Sequence, residues 1–318
     1  MIEQRQIGKS SLTVSAIGLG CNNFGRTLDL SASRPVIHKA LDLGITFFDC
    51  ADVYGRRGGS ETILGEVLGP RRKDIVLGSK FGRRMDDEGR LMGGSRAYAR
   101  SAVEASLRRL KTDWIDLYQY HLFDPTTPIE ETVAALDELV REGKVRHVGC
   151  CSMPPAVVAA AVAHARAHEL AGFIVCEDEY SLLARDIEAE LLPIVRAHGL
   201  GFVPYYPLAS GLLTGKYRRG EPFPPGSRFA TVKDRDYAGA FINDANWTRL
   251  ERLTAFADAH GRTILELAIS WLVAQPLVSC VIVGATKAAQ LEENVRAAGW
   301  ALTGTETAEI DAICPPPP

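Results

Sequence analysis

Eight short apolar runs, separated by stretches of helical period or by polar loops, constrain this chain more than any other feature. They fall at 16–20 (AIGLG), 45–49 (ITFFD), 75–80 (IVLGSK), 114–121 (WIDLYQYH), 145–152, 173–177, 201–206 and 279–284. Runs of this length read as buried strands when the segments between them carry helical spacing. Residues 95–111 (SRAYARSAVEASLRRLK) carry it, with Ala99, Val103, Ser106, Leu107 and Leu110 on one stripe, and 129–141 and 185–198 read the same way. Strand and helix in alternation mean a parallel sheet covered by helices, and eight units in 318 residues are what a closed (β/α)8 barrel, the TIM-barrel architecture, requires. The rival doubly wound sheet needs G-x-G-x-x-G after its first strand. Gly18 and Gly20 begin such a motif, but Gly25 comes too late. Ahead of the first run, a polar-apolar stretch turning at Gly8 and Lys9 predicts a small N-terminal β-hairpin.

No shift in composition divides the chain, so residues 1–314 are expected to form a single domain and the four prolines at 315–318 a disordered or extended tail. With 46% hydrophobic and 24% charged residues, a packed core is within reach. Basic residues number 36 and acidic ones 39, a net charge of -3. That balance gives no bulk attraction to nucleic acid or anionic membrane, and neither is expected as a partner. The polar opening MIEQRQIGKS has no apolar stretch behind it, and no uninterrupted apolar run reaches about 18 residues, which predicts a cytoplasmic protein. Seven cysteines (Cys21, Cys50, Cys150, Cys151, Cys176, Cys280, Cys314) include no C-x-x-C pair and read as buried thiols in a reducing compartment. His164 and His168 have metal-pair spacing without a third ligand, so no metal site is expected. Residues 216–246 lack a clear period and are expected to form a functional loop or lid after the seventh strand.

In a barrel the carboxyl ends of the strands converge on the face where active sites form. The second run ends in Asp49 and leads to Tyr54, the third ends in Lys80 and the fourth in His121. Taken singly, these are a turn or cap residue, a surface lysine, a rim aromatic and a satisfied histidine. Brought to one rim, they are a candidate proton-transfer site. A phenol with a pKa of about 10 is a poor acid at neutral pH, and an adjacent ammonium lowers that value. Lys80 would supply the ammonium and Asp49 keep it charged, so the phenol of Tyr54 is expected to be lowered. His121 would donate a hydrogen bond to a substrate oxygen while Tyr54 delivers the proton. A tyrosine acid of this kind suits carbonyl reduction, and since no side chain carries a hydride, a nicotinamide cofactor is implied.

From about Gln6 to Ile313 the chain resembles the aldo-keto reductase superfamily. FFDCADVYG followed by SETILGEVLG is similar to that family's D-x-A-x-x-Y-G and S-E-x-x-L-G signatures, LGSKFG to its lysine motif and WIDLYQYH to its histidine motif. The resemblance implies a catalytic tetrad of Asp49, Tyr54, Lys80 and His121, and NADPH or NADP+, with NAD possible, bound in extended form. YYPLASGLLTGKY is similar to the family's nicotinamide and pyrophosphate segment, which implies contacts from Tyr205, Leu208, Ser210, Gly211 and Leu213, with Lys216 a candidate for a 2'-phosphate. VGATKAAQLEEN is similar to its adenosine segment, which implies Gly284, Thr286, Lys287, Gln290, Glu293 and Asn294. Lys287, at a helix start, is a second candidate for the 2'-phosphate, helped by the amides there. Cys21, Asp49, Ser152 and Glu177 complete the implied cofactor contacts.

Two places depart from the family pattern. Met153 stands where an asparagine is common, leaving Ser152, and Glu177 where a glutamine is common. An ionised Glu177 cannot donate to a carboxamide oxygen, and would favour the cationic, oxidised ring. The expected substrate is a small aldehyde, ketone, sugar aldehyde or lactol, or the matching alcohol. Arg83, Arg84 and the loop at 85–94 are candidates for the substrate mouth. Two other functions stay open at this point: a nicotinamide-binding regulator, since some family members are channel-associated subunits, and a lyase using Lys80 as a Schiff base.

Overall fold

All eight apolar runs form strands, and the strands pair in chain order. The computed structural model describes residues 2–231, 239 and 241–317. In it β1 (Gln4–Gln6) and β2 (Thr13–Ser15) make the expected antiparallel hairpin. Then β3 (Ile17–Gly20), β4 (Phe47–Asp49), β5 (Val76–Phe81), β6 (Ile115–Tyr120), β7 (Val145–Cys151), β8 (Phe173–Glu179), β9 (Gly201–Tyr205) and β10 (Val281–Gly284) form one parallel sheet. Within it β10 lies beside β3. A bridge between Phe202 and Val278, at the approach to β10, brings the two ends of the sheet together. The result is the (β/α)8 barrel.

Helices fill the crossovers: α1 (Leu30–Asp42), α2 (Tyr54–Leu68), α3 (Arg96–Leu110), α4 (Ile129–Arg141), α5 (Pro155–Ala167), α6 (Ile187–His198), α7 (Arg228–Thr231), α8 (Asp244–Ala259), α9 (Ile264–Ala274), α10 (Ala288–Arg296) and α11 (Gly304–Ile313). Their limits follow from capping chemistry. Asp29 accepts from the Ala32 amide to start α1, Ser95 from the Tyr98 amide to start α3, and Thr263 with Glu266 forms a capping box on α9. Gly199, left-handed, ends α6. The stripe of Ala99, Val103, Ser106, Leu107 and Leu110 is buried as its spacing requires. No helix among the described residues is long and apolar enough to cross a membrane. The loop expected at 216–246 contains α7, and its residues 232–238 and 240 lie outside the described residues, as does Pro318 of the tail.

Side chains alternate across a strand, and this alternation divides the barrel interior into two layers. The lower layer is Phe47, Leu117, Val175, Val203, Cys280 and Ile282, closed from below by Ile7 and Val14 of the hairpin region. Glycines at inward positions make room for it: a Cβ at Gly78 would crowd Phe47, and one at Gly149 would crowd Val175. Each buried side chain of this size contributes about 1.5–3 kcal/mol. Two residues further along the same strands the inward positions turn polar: Asp49, Lys80, Gln119, Cys151, Glu177 and Tyr205. The apolar floor therefore supports a polar layer at the carboxyl ends.

Candidate active site

Local backbone geometry sets the site. Asp49 closes β4, Lys80 is the penultimate residue of β5, and His121 follows β6, its amide bonded to the Phe81 carbonyl. Tyr54 begins α2, and the next four residues, Gly55, Arg56, Arg57 and Gly58, all have positive φ (67, 63, 69 and 109°). The left-handed conformation costs a non-glycine residue about 1–2 kcal/mol, so Arg56 and Arg57 hold this turn at an expense that neighbouring contacts offset. Arg57 pairs with Asp87 at 2.6 Å.

Within the polar layer Lys80 Nζ lies 2.5 Å from Asp49 Oδ1, 3.2 Å from Glu177 Oε1 and 3.3 Å from the Cys50 carbonyl. It sits 5.4 Å from the Tyr54 ring centre, and that ring meets His121 edge-on at 5.7 Å and 85°. The four strand-end residues are thus brought together. Burial opposes the charge on Lys80, but Asp49 and Glu177 more than offset it and hold the ammonium well above its ordinary value. Burial, with Lys80 and Arg83 adding to it, pushes His121 well below the usual histidine range, so the imidazole is neutral. Its Nδ1 is buried without a partner.

The expected lowering of Tyr54 is corrected by the structure. Lys80 does act in that direction, but burial dominates, and Asp49 and Glu177 add to it, so the phenol is held well above its ordinary value. Asp49 is itself pushed up to about 8, by burial first and then by the Glu177 carboxylate, against the pull of Lys80. One ammonium between two carboxylates offsets only part of what burial and those acids do to the phenol.

Three residues of this layer carry more than their sequence positions suggested. Glu177 faces Lys80, and its other oxygen accepts from Gln119 Nε2 at 2.8 Å. Gln119 Oε1 has no partner. Cys151, paired with Glu177 across β7 and β8, is pushed well above the usual thiol range by burial and by that carboxylate. Met153 is buried and lines a cleft together with Pro155, Ile187 and Leu191. Counting every second residue from Gly149 finds Cys151, and counting back two from His121 finds Gln119.

The residues implied for a dinucleotide fall into three groups. Ser152, left-handed at φ 51°, bonds Tyr205 Oη at 3.0 Å, and its amide donates to the Glu177 carbonyl. After β9 and Leu208, a 3-10 turn at Ala209–Thr214 holds Ser210 and Gly211 at φ 58 and 99°. Ser210 Oγ is buried without a partner, and a Cβ on Gly211 would meet Lys216 Nζ at 3.4 Å. Successive left-handed residues with an orphan hydroxyl and a nearby ammonium form a concavity suited to an anion such as a pyrophosphate. After β10, Gly284 leads to Thr286 and Lys287, whose amides are already bonded to Gln290 Oε1 at 2.8 and 3.2 Å. The two amides that precede this helix are therefore engaged. Glu293 is exposed and Asn294 buried on α10. Cys21 and Leu213 are fully buried, and the Cys21 thiol donates to the Leu19 carbonyl. Both side chains belong to the apolar core cluster.

His164 and His168 stack at 4.2 Å, with His168 Nδ1 bonded to the His164 carbonyl. Among the described residues no group of three or more His, Cys, Asp or Glu is placed to hold a metal.

An eight-stranded parallel barrel with a buried acid-lysine-tyrosine-histidine group at its strand ends defines the class, a barrel oxidoreductase. The chain belongs to the aldo/keto reductase family, whose model matches residues 16–315. It is 36% identical over 304 residues to a probable voltage-gated potassium channel subunit beta of Arabidopsis thaliana, covering 93% of this chain and 91% of that one. It is 34% identical over 318 residues to the L-glyceraldehyde 3-phosphate reductase of Escherichia coli K12, covering 98% and 92%. It is also 36% identical over 299 residues to the uncharacterized oxidoreductase YqkF of Bacillus subtilis, covering 93% and 91%. The protein is an NAD(P)-dependent oxidoreductase, of a family that generally uses NADPH and NADP+.

Proposed function

We propose that the protein interconverts a small aldehyde or ketone, of the sugar-aldehyde or lactol class, with its alcohol, using NADP(H). The observation that carries this reading is the meeting of buried Lys80, Asp49 and His121 with half-buried Tyr54 at the strand ends, with Lys80 Nζ 2.5 Å from Asp49 and 5.4 Å from the Tyr54 ring centre. A bound nicotinamide would supply the hydride for reduction of the carbonyl carbon and accept one in the reverse direction. Tyr54 donates its phenolic proton to the carbonyl oxygen in reduction and takes it back from the alcohol in oxidation. Its raised pKa keeps that proton in place until the oxygen gains charge. Neutral His121 donates a hydrogen bond to the same oxygen. Lys80 steadies the phenolate that forms, and Asp49 anchors Lys80. Ser210, Gly211 and Lys216 would hold the pyrophosphate, and Lys287 the 2'-phosphate. The L-glyceraldehyde 3-phosphate reductase relative supports a short sugar aldehyde as substrate.

The test is Tyr54→Phe, assayed with phosphorylated and unphosphorylated glyceraldehyde. Turnover should fall about 10²- to 10⁴-fold while NADPH affinity stays unchanged, and a variant that retains wild-type turnover refutes the role of Tyr54. The channel-subunit relatives favour a second reading, a nicotinamide-binding regulator. Tight NADPH binding with no turnover of any aldehyde would select it.

A further inference from the structure

We infer that Asp49 and Glu177 share one proton across the Lys80 ammonium, and that binding of the oxidised, cationic nicotinamide expels this proton whereas binding of the reduced cofactor does not. The inference rests on the reading that the nicotinamide lies on this layer. It begins with counting charges. Lys80, Asp49 and Glu177 come from β5, β4 and β8, all at least 97% buried, and Lys80 Nζ is within 3.2 Å of both carboxylates. Fully ionised, the group would carry a net negative charge above the dry floor of Phe47, Leu117 and Val175. An unbalanced charge there costs several kcal/mol, and retaining one proton on the carboxyl pair removes it.

Among the described residues the surroundings offer no other compensation. Gln119 on β6 gives Glu177 Oε2 a neutral donor. Cys151 on β7, Cys21 after β3 and Cys280 just before β10 are thiols held well above their ordinary range, by burial first. Tyr54 and His121 are neutral for the reasons given, and Tyr205 on β9 is likewise raised by burial. Asp178, next to Glu177, is another acid, raised to about 6. Arg83 is the nearest further cation acting on His121, and it is exposed. Asp49, pushed up to about 8, agrees with a retained proton.

Tyr205 stands two residues beyond inward Val203 on β9, opposite Glu179 and next to the Glu177 rung. A ring seated on Tyr205 therefore lies over this carboxyl pair. A positive ring supplies the missing charge, and the proton leaves to solvent; a neutral ring supplies none. A glutamine at 177 would leave Asp49 and Lys80 as a balanced pair with no proton to release.

The experiment is calorimetric titration of wild type and Glu177→Gln with NADP+ and with NADPH, in two buffers of different ionisation enthalpy near pH 7. Wild type should release about one proton per NADP+ bound, and its NADP+ affinity should rise toward about tenfold per pH unit below the titration of the pair. NADPH binding should release none, and Glu177→Gln should release none with either. Binding of NADP+ by wild type without proton release overturns the inference, as does equal release by both proteins. Failure of either cofactor to bind wild type refutes the nicotinamide site itself, so the two failures are distinct. If Glu177→Gln does not fold, the infrared difference spectrum of wild type decides: adding NADP+ near pH 7 should remove carboxylic-acid carbonyl absorbance, while buried Asp52, which is also pushed up, contributes a constant background. No loss of that absorbance overturns the inference.

Discussion

Replacing Arg109 by methionine tests how the turn after Tyr54 is held. Glu61, in the SETILG stretch of α2, is fully buried. Its Oε1 accepts from Ser79 Oγ at 2.5 Å, and its Oε2 takes Arg109 Nε and Nη2, each at 2.7 Å. One helical turn on, Gly65 presses against the Arg109 carbonyl oxygen, where a Cβ would overlap it. The same α3 residue therefore seats α2 twice, once by charge and once by close backbone approach. Arg109→Met leaves an uncompensated carboxylate in the core, at a cost of about 3–5 kcal/mol. An unfolding entropy of about 2.1 cal/mol/K per residue over 318 residues comes to about 0.67 kcal/mol/K. The expected fall in Tm is therefore about 4–8 °C, read by scanning calorimetry. The stranded carboxylate escapes its penalty by taking a proton, so the deficit against wild type should shrink as pH falls toward about 4 and be complete near pH 7. The double variant Glu61→Gln/Arg109→Met should recover part of the loss, because no charge is then stranded. A deficit below about 1 kcal/mol, or one that does not change with pH, would refute the argument.

Other outcomes follow from the same geometry. Gly65→Ala should cost about 1–3 kcal/mol by overpacking, measured as a lower denaturation midpoint in urea with unchanged slope. Asp49, raised from an ordinary value near 4 to about 8, gives stability that is complete below the unfolded value and lost as pH rises through the folded one. The Tm of the cofactor-free protein should accordingly fall between about pH 4 and about pH 8 and level off above, and Asp49→Asn should flatten that slope. Lys216 stands beside the Gly211 turn, so Lys216→Ala should weaken NADPH and NADH alike, whereas Lys287→Ala should weaken NADPH alone, by about tenfold or about 1.5 kcal/mol. Fluorescence titration separates the two, and an equal loss for both cofactors in Lys287→Ala would remove it from the 2'-phosphate.

The barrel was legible because its strands are buried on both sides, which compresses each into a short apolar run whose limits survive in one sequence. The strand-end group of Asp49, Lys80 and His121 was legible for the same reason, since a polar residue closing an apolar run stands out. Less visible was what depends on the inward or outward phase of a strand. In GCCSM the count from Gly149 puts Cys151 inward and would put Met153 there too, but the strand ends at Cys151 and Ser152 turns left-handed, a break that nothing in those five letters marks. The Tyr54 pKa failed for a different reason. The sign of a sum of opposing terms depends on burial and on how many acids surround one lysine, and Glu177 joins that count only through the β5–β8 cross-barrel approach. The Arg109–Glu61 pair spans 48 positions and has no local signature at all.

The apolar floor explains why the charge count in the layer above it matters so much. Coulomb energy scales inversely with the local dielectric, and beneath Lys80 the barrel offers only Phe47, Leu117, Val175 and the plug of Ile7 and Val14. Charges in that layer cannot be screened from below, so they must balance among themselves or through whatever covers them from the rim. With a neutral side chain at 177 the balance is internal, and the layer is indifferent to the charge of its ligand. With Glu177 one unit of charge is left to be supplied by a proton or by a cation above, and the competition between those two makes the affinity for an oxidised ring a function of pH.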